Sequence, residues 1–147
     1  SNSSAASDVY KRQVPTYLAG YYKYKAGDQF TEGGKPVNGK RDICDIYAIM
    51  YETSESVPTL DGTNAFTSPN LISTARINNA KETNEWTYFK LPFTTLPGKF
   101  IDKEKLMDGK YNIAIVFTSS LEGNHFNGAI GSTLLIDEAE LIYHSED

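Results

Sequence analysis

Residues Gly128 to Tyr143 read G-A-I-G-S-T-L-L-I-D-E-A-E-L-I-Y, and the parity of this stretch decides the fold. A small-residue loop feeds a long apolar run that breaks once, at Asp137 and Glu138, and resumes with Ala139. Along an extended chain Leu134 and Ile136 point one way, whereas Ala139, Leu141 and Tyr143 point the other. One inserted residue restores a common face. The pattern therefore predicts a strand over 132–143 with a bulge within one residue of Asp137, leaving two carboxylates at the kink.

Working outward, Tyr111 to Ser119 alternates, with Tyr111, Ile113, Ile115 and Phe117 opposing Asn112, Ala114, Val116 and Thr118. The segment W-T-Y-F-K-L-P-F, Trp86 to Phe93, places Thr87, Phe89, Leu91 and Phe93 on a core face and Trp86, Tyr88 and Lys90 on the other. Pro92 removes a ladder donor, so this strand lies at an edge or ends there. Further strands are expected at 15–24, 42–52 and 71–78, with two short ones in the long loops. Lys25 to Arg41 is rich in glycine, and Ser54 to Asn70 carries Pro58 and Asp61-Gly62 as turn formers. Asp102 is placed to cap one helical turn, K-E-K-L-M, before Asp108-Gly109 turns the chain. Strands at wide spacing without a long helix imply an all-β sandwich, and the long connections suit Greek-key crossings or functional loops.

The 147 residues fit one domain, large enough to bury a core without disulfides. Residues 1–14 read as a linker or cloning tail, with any export signal or upstream domain removed, and 15–147 as the domain. A net charge of −5 with scattered Lys and Arg excludes a phosphate-tracking stripe, so no nucleic-acid partner is expected. No apolar run reaches membrane-spanning length. The lone Cys44 alternates with Ile46, Ala48 and Met50 and reads as a buried small hydrophobe rather than a nucleophile. Ten tyrosines suit strands and sugar-facing surfaces equally.

Several ordered segments match one pattern: G-Y-Y-K-Y, D-I-C-D-I-Y-A-I-M-Y-E, L-D-G-T-N, W-T-Y-F-K-L-P-F, Y-N-I-A-I-V-F-T-S-S and G-N-H-F-N-G-A-I-G-S-T-L-L-I-D-E-A-E-L. From about Tyr17 to Tyr143 the chain resembles the putative carbohydrate metabolism domain of exported proteins from polysaccharide-degrading gut bacteria. The resemblance implies a two-sheet antiparallel jelly roll, like galactose-binding domains and carbohydrate-binding modules. It also implies an extracytoplasmic setting (cell surface, outer-membrane-attached or periplasmic), a poly- or oligosaccharide partner, and a further domain N-terminal to this one. It carries over no catalytic residue.

A sugar ring presents an apolar face and a rim of hydroxyls, so its site needs an aromatic plate beside a carboxylate or amide. Asp45, Tyr47, Trp86 and Tyr88 lie opposite the clearest core sets and would form such a platform if their two strands share a sheet. Otherwise the aromatics pack under a loop or against the second sheet. Asn124 and His125 add amide and imidazole groups in the loop before the last strand, where Phe126 serves either a ligand or the core. His125 has no second His or Cys near in sequence, and His144 sits in the tail, which argues against zinc. No cofactor is required. Related sugar-binding jelly rolls hold a structural calcium through an acid of the closing strand, which would be Asp137, although P-T-Y-L-A-G-Y-Y-K-Y offers it no acidic partner.

Three functions stay open at this level. The favoured one is a non-catalytic carbohydrate-binding domain, which calls for aromatics exposed along a groove. A structural or protein-docking domain of a surface lipoprotein calls for a flat apolar patch, and a glycoside-active enzyme for a deep acid-lined pocket. No nucleophile motif favours the last.

Overall fold

The computed structural model of the chain describes residues 13–60 and 64–143; the expectations for residues 1–12, for Asp61-Gly62 and for His144 fall outside these. In chain order the strands are β1 (Tyr17–Lys25), β2 (Phe30–Glu32), β3 (Lys35–Pro36), β4 (Asp45–Glu52), β5 (Leu71–Arg76), β6 (Thr83–Pro92), β7 (Thr94–Thr95), β8 (Tyr111–Thr118), β9 (Asn127–Ala129) and β10 (Thr133–Ile142). A single helical turn, α1 (Lys103–Met107), precedes β8. The Asp102 carboxylate caps it, accepting from the backbone N–H of Glu104 and Lys105 at 2.8 and 3.1 Å.

Two antiparallel sheets, β10-β1-β6 and β7-β5-β4-β8, pack face to face as a jelly-roll-like sandwich, and β3-β2-β9 forms a small third sheet at one end. First and last strands pair, and apart from β4–β5 and the β2–β3 hairpin no sheet neighbours are consecutive in the chain. Between the sheets Leu18, Tyr22 and Tyr24 of β1 and Phe89 of β6 meet Ile46 and Ala48 of β4, with Leu134, Ile136 and Leu141 of β10 packed alongside. Cys44 lies in this core, and burial pushes its thiol pKa up to about 12.

The expected bulge is present. Ala19 pairs with Glu140 and Tyr21 with Asp137, so Gly20 alone opposes Glu138 and Ala139, and Glu138 takes a φ of 51°. The Asp137 side chain closes the kink by accepting from the Glu138 N–H at 2.9 Å. Gly20 is required opposite it, since a Cβ there would stand 2.8 Å from the Phe89 ring. The extra residue is what lets Leu141 return to the core already lined by Leu134 and Ile136.

β4 departs from the expected alternation, because both of its faces are buried. Tyr47, Ile49 and Tyr51, on the outer face, are covered by Leu60 and Ala65 of the long connection to β5. That connection supplies a second, smaller core. Asp45 and Tyr47 are consequently 3% and 4% exposed, and Tyr47 is not a solvent-facing plate.

The connection from β8 to β10 is fixed by Asp42, itself 5% exposed. One carboxylate oxygen accepts from Ser120 Oγ at 2.5 Å, Ser132 Oγ at 2.6 Å and Ala129 N at 2.9 Å, and the other from Ile43 N at 3.0 Å. A Cβ on Gly128 would reach within 2.8 Å of Ser120 Oγ, so this position takes glycine. Nearby, Glu82 accepts two 2.7 Å bonds from the Arg41 guanidinium and one of 2.9 Å from Ala26 N.

Two outcomes follow for stability. Asp42→Ala strands four donors, all buried or partly buried, and is expected to cost about 3 kcal/mol or more in a urea melt. The Arg41 hydrogen bonds, and after them the Ala26 N–H, lower the Glu82 pKa from 4.5 to about 2. Its stabilisation is thus complete above pH 4.5 and is lost as pH falls through about 2. Glu82→Gln should be less stable than the parent at pH 7, with the gap closing across that acid window. A gap unchanged between pH 7 and pH 2 would contradict the assignment.

Candidate functional site

The candidate residues divide between the two outer faces of the sandwich. β6 lies in the sheet with β1 and β10, and β4 in the opposite sheet. The four-residue platform of Asp45, Tyr47, Trp86 and Tyr88 is therefore not formed. Each half instead joins other residues.

On the outer face of β10-β1-β6, cross-strand register builds an aromatic strip. Tyr21 pairs with Tyr88 on one side and with Asp137 on the other. The rings of Tyr21 and Tyr88 lie 5.2 Å apart at 54°. Register between β1 and β6 slips after Tyr22, which pairs with Thr87, whereas Tyr24 pairs with Thr83. Lys23 is thus opposed by the bulged run Asn84-Glu85-Trp86. The Thr83 and Thr87 hydroxyls hold this bulge, meeting each other at 3.1 Å and bonding the Glu85 backbone. Trp86 is turned outward, with the Lys23 ammonium 4.8 Å from its ring centroid. Tyr21, Trp86 and Tyr88 are 37%, 45% and 52% exposed. Trp86 and Tyr88 are thus available to stack, as their parity requires. Tyr21 went unnoticed in the sequence, although its opposition to the buried Tyr22 and Tyr24 carried the signal.

Asp137 joins this strip. Its carboxylate serves the bulge, and among the described residues no three His, Cys, Asp or Glu side chains converge into a metal set. A calcium at Asp137 would draw its remaining oxygens from backbone carbonyls. The register places this acid directly across Tyr21 from Tyr88.

On the opposite face Asp45 and Tyr47 meet Asn124 and His125 around a cleft of about 720 Å³. Asp45 binds Arg76 through both carboxylate oxygens, at 3.1 and 2.6 Å. The Arg76 guanidinium lies 4.2 Å from the Phe66 ring centroid, and Phe66 packs edge-on to Tyr47 at 4.8 Å. Arg76 and Phe66 were not anticipated; nothing in their local sequence distinguishes them from other surface positions. Phe126 adopts a φ of 60° and is 83% exposed, so it does not plug the core.

The chain matches the family model described as the putative carbohydrate metabolism domain over residues 9–142. No curated protein matches it. It is similar to the crystal structure of a putative glycoside hydrolase from Bacteroides thetaiotaomicron, with 87% identity and a TM-score of 0.88, over 92% of this chain and 40% of that one. It also resembles a putative glycoside hydrolase from Bacteroides vulgatus, with 44% identity and a TM-score of 0.82, over 90% of this chain and 54% of that one. The chain thus spans about half or less of the length of these relatives. Among the described residues no helix is long and apolar enough to cross a membrane.

Neighbouring positions on β6 should respond oppositely to truncation. Trp86→Ala, on the outer face, is expected to cost less than about 1 kcal/mol in thermal or urea unfolding. Phe89→Ala, in the core, should cost roughly 3–5 kcal/mol. Comparable losses at both would place Trp86 in a packed environment and remove it as a stacking residue.

Proposed function

Because the chain belongs to the family of putative carbohydrate metabolism domains, we propose that it is a non-catalytic carbohydrate-binding domain of an extracytoplasmic glycan-handling protein. The observation that carries this reading is the exposed strip of Tyr21, Trp86 and Tyr88, flanked by Lys23 and Asp137. Three large aromatics left in water on one sheet face are costly unless a ligand covers them. Their rings suit the apolar face of a pyranose, while the ammonium and carboxylate suit its hydroxyl rim.

Binding is favoured over hydrolysis by the state of the acids in the opposite cleft. Asp45 is committed to Arg76, and Glu122 is paired with Lys40 at 3.4 Å. A glycosidase needs one carboxyl to donate a proton and another to attack or to activate water, and paired acids suit neither task. The solved relatives are named as putative glycoside hydrolases and are longer chains, so this domain is read as the part that holds glycan for another.

An affinity-gel or glycan-array screen with host and plant polysaccharides tests the reading. Retardation by at least one glycan is expected, with Trp86→Ala weakening binding by about 1–3 kcal/mol. If no glycan retards the domain, a spacing or docking role within a longer surface protein takes its place.

A further inference from the structure

We propose that the cleft on the outer face of β7-β5-β4-β8 is a second carbohydrate site, separate from the aromatic strip, that takes a short neutral oligosaccharide through Phe66, Arg76, Asn124 and His125. The inference rests on the glycan-binding role above and extends it to the other side of the sandwich.

The first argument is that the cleft is built rather than incidental. Asp45 is 3% exposed on an outer sheet face, where a carboxylate would ordinarily remain in water. Burying it is costly without a partner, and its bidentate bond to Nε and Nη2 of Arg76 supplies one. That bond also fixes a planar fork. Arg76 lines the cleft, half-exposed, with the Nη1 edge uncommitted to Asp45 and one face on Phe66. Phe66 is 38% exposed, and it rests on the buried Tyr47. The result is a rigid aromatic and guanidinium surface that loses little conformational entropy when a ligand arrives.

The second argument is charge. Arg76 is taken up by Asp45, and Lys40 is shared by Glu122 and Glu32, so the cleft offers no unpaired cation to select a uronate. Beside these paired groups the rim carries the Asn124 amide, the His125 imidazole and hydroxyls. Among the described residues the Asn124 amide and the His125 imidazole have no partner, and both are exposed at the cleft. Donors and acceptors in near balance, beside a stacking surface, match a ligand whose polar groups are hydroxyls, each both donor and acceptor. The volume of about 720 Å³ lies in the range of small-ligand clefts and suits a few sugar units rather than the flank of a polymer.

The test is an NMR titration of the ¹⁵N-labelled chain with neutral oligosaccharides built on glucose, xylose, mannose and N-acetylglucosamine, beside uronate-containing counterparts. At least one neutral ligand should shift the Phe66, Thr67, Asn124 and His125 amides and the Arg76 Nε–H saturably, and should do so equally in Trp86→Ala. Asn124→Ala and His125→Ala change exposed side chains with no structural partner, and each should weaken that binding about two- to tenfold. Shifts confined to the Trp86 indole N–H and its neighbours would overturn the cleft while leaving the strip intact. Cleft shifts produced by uronates alone would overturn the neutral class. Silence at both faces would overturn this proposal together with the glycan-binding role.

Discussion

The carboxylate of Asp42 sits where three parts of the chain must meet: the entry to β4, the connection leaving β8 and the approach to β10. It gathers two serine hydroxyls and two backbone N–H groups there. Around it, the Tyr24 hydroxyl donates to the Ser119 carbonyl at 2.7 Å, and Gly27 N donates to Ser132 Oγ at 3.0 Å. A loop crossing the end of a sandwich has no ladder to satisfy its backbone, so a buried acceptor with several lone pairs is an efficient substitute. By holding Ser120 and Ala129, Asp42 sets the position of the turn between them, and with it one wall of the cleft. One buried acid thereby links the closing strand of the fold to the geometry of a candidate site.

Much of the architecture was legible in the sequence because it is encoded locally. Alternation marked β6 and β8, Tyr-rich and apolar runs marked β1 and β4, and the parity conflict around Asp137 located the bulge of β10, since all are properties of a few adjacent residues. The cap at Asp102 was equally local. Sheet membership was not legible. Whether β4 and β6 are neighbours depends on pairings across the whole chain, and the platform imagined from their outward residues failed for that reason. The connection from β4 to β5 was read as open loop, yet it buries Leu60 and Ala65 against Tyr47, Ile49 and Tyr51. The signal that the second face of β4 is also covered was its unbroken apolar run, Ile46 to Tyr51.

The candidate sites show the same division. Trp86 and Tyr88 were identified by parity alone and are exposed, as parity requires. Asp137 was singled out for the kink that the register shows, and the same register sets it beside Tyr21. Asp45 and Arg76 come from different strands and find each other only through the β4–β5 pairing, which sets Tyr47 opposite Arg76. The two outer faces then acquire different characters. One is an aromatic strip with a cation at its edge; the other is a cleft whose acids are held in ion pairs.

Cys44 carries a consequence for how such a domain can be made. It is the sole cysteine of the chain, 2% exposed, with its thiol pKa raised to about 12 by burial. At neutral pH this thiol stays protonated, and the thiolate is the species that reacts with oxidants and disulfides. Once folded, the domain is indifferent to the redox potential around it. It needs neither oxidising chemistry to acquire its fold nor reducing chemistry to keep it, so the same native state is accessible on either side of a membrane.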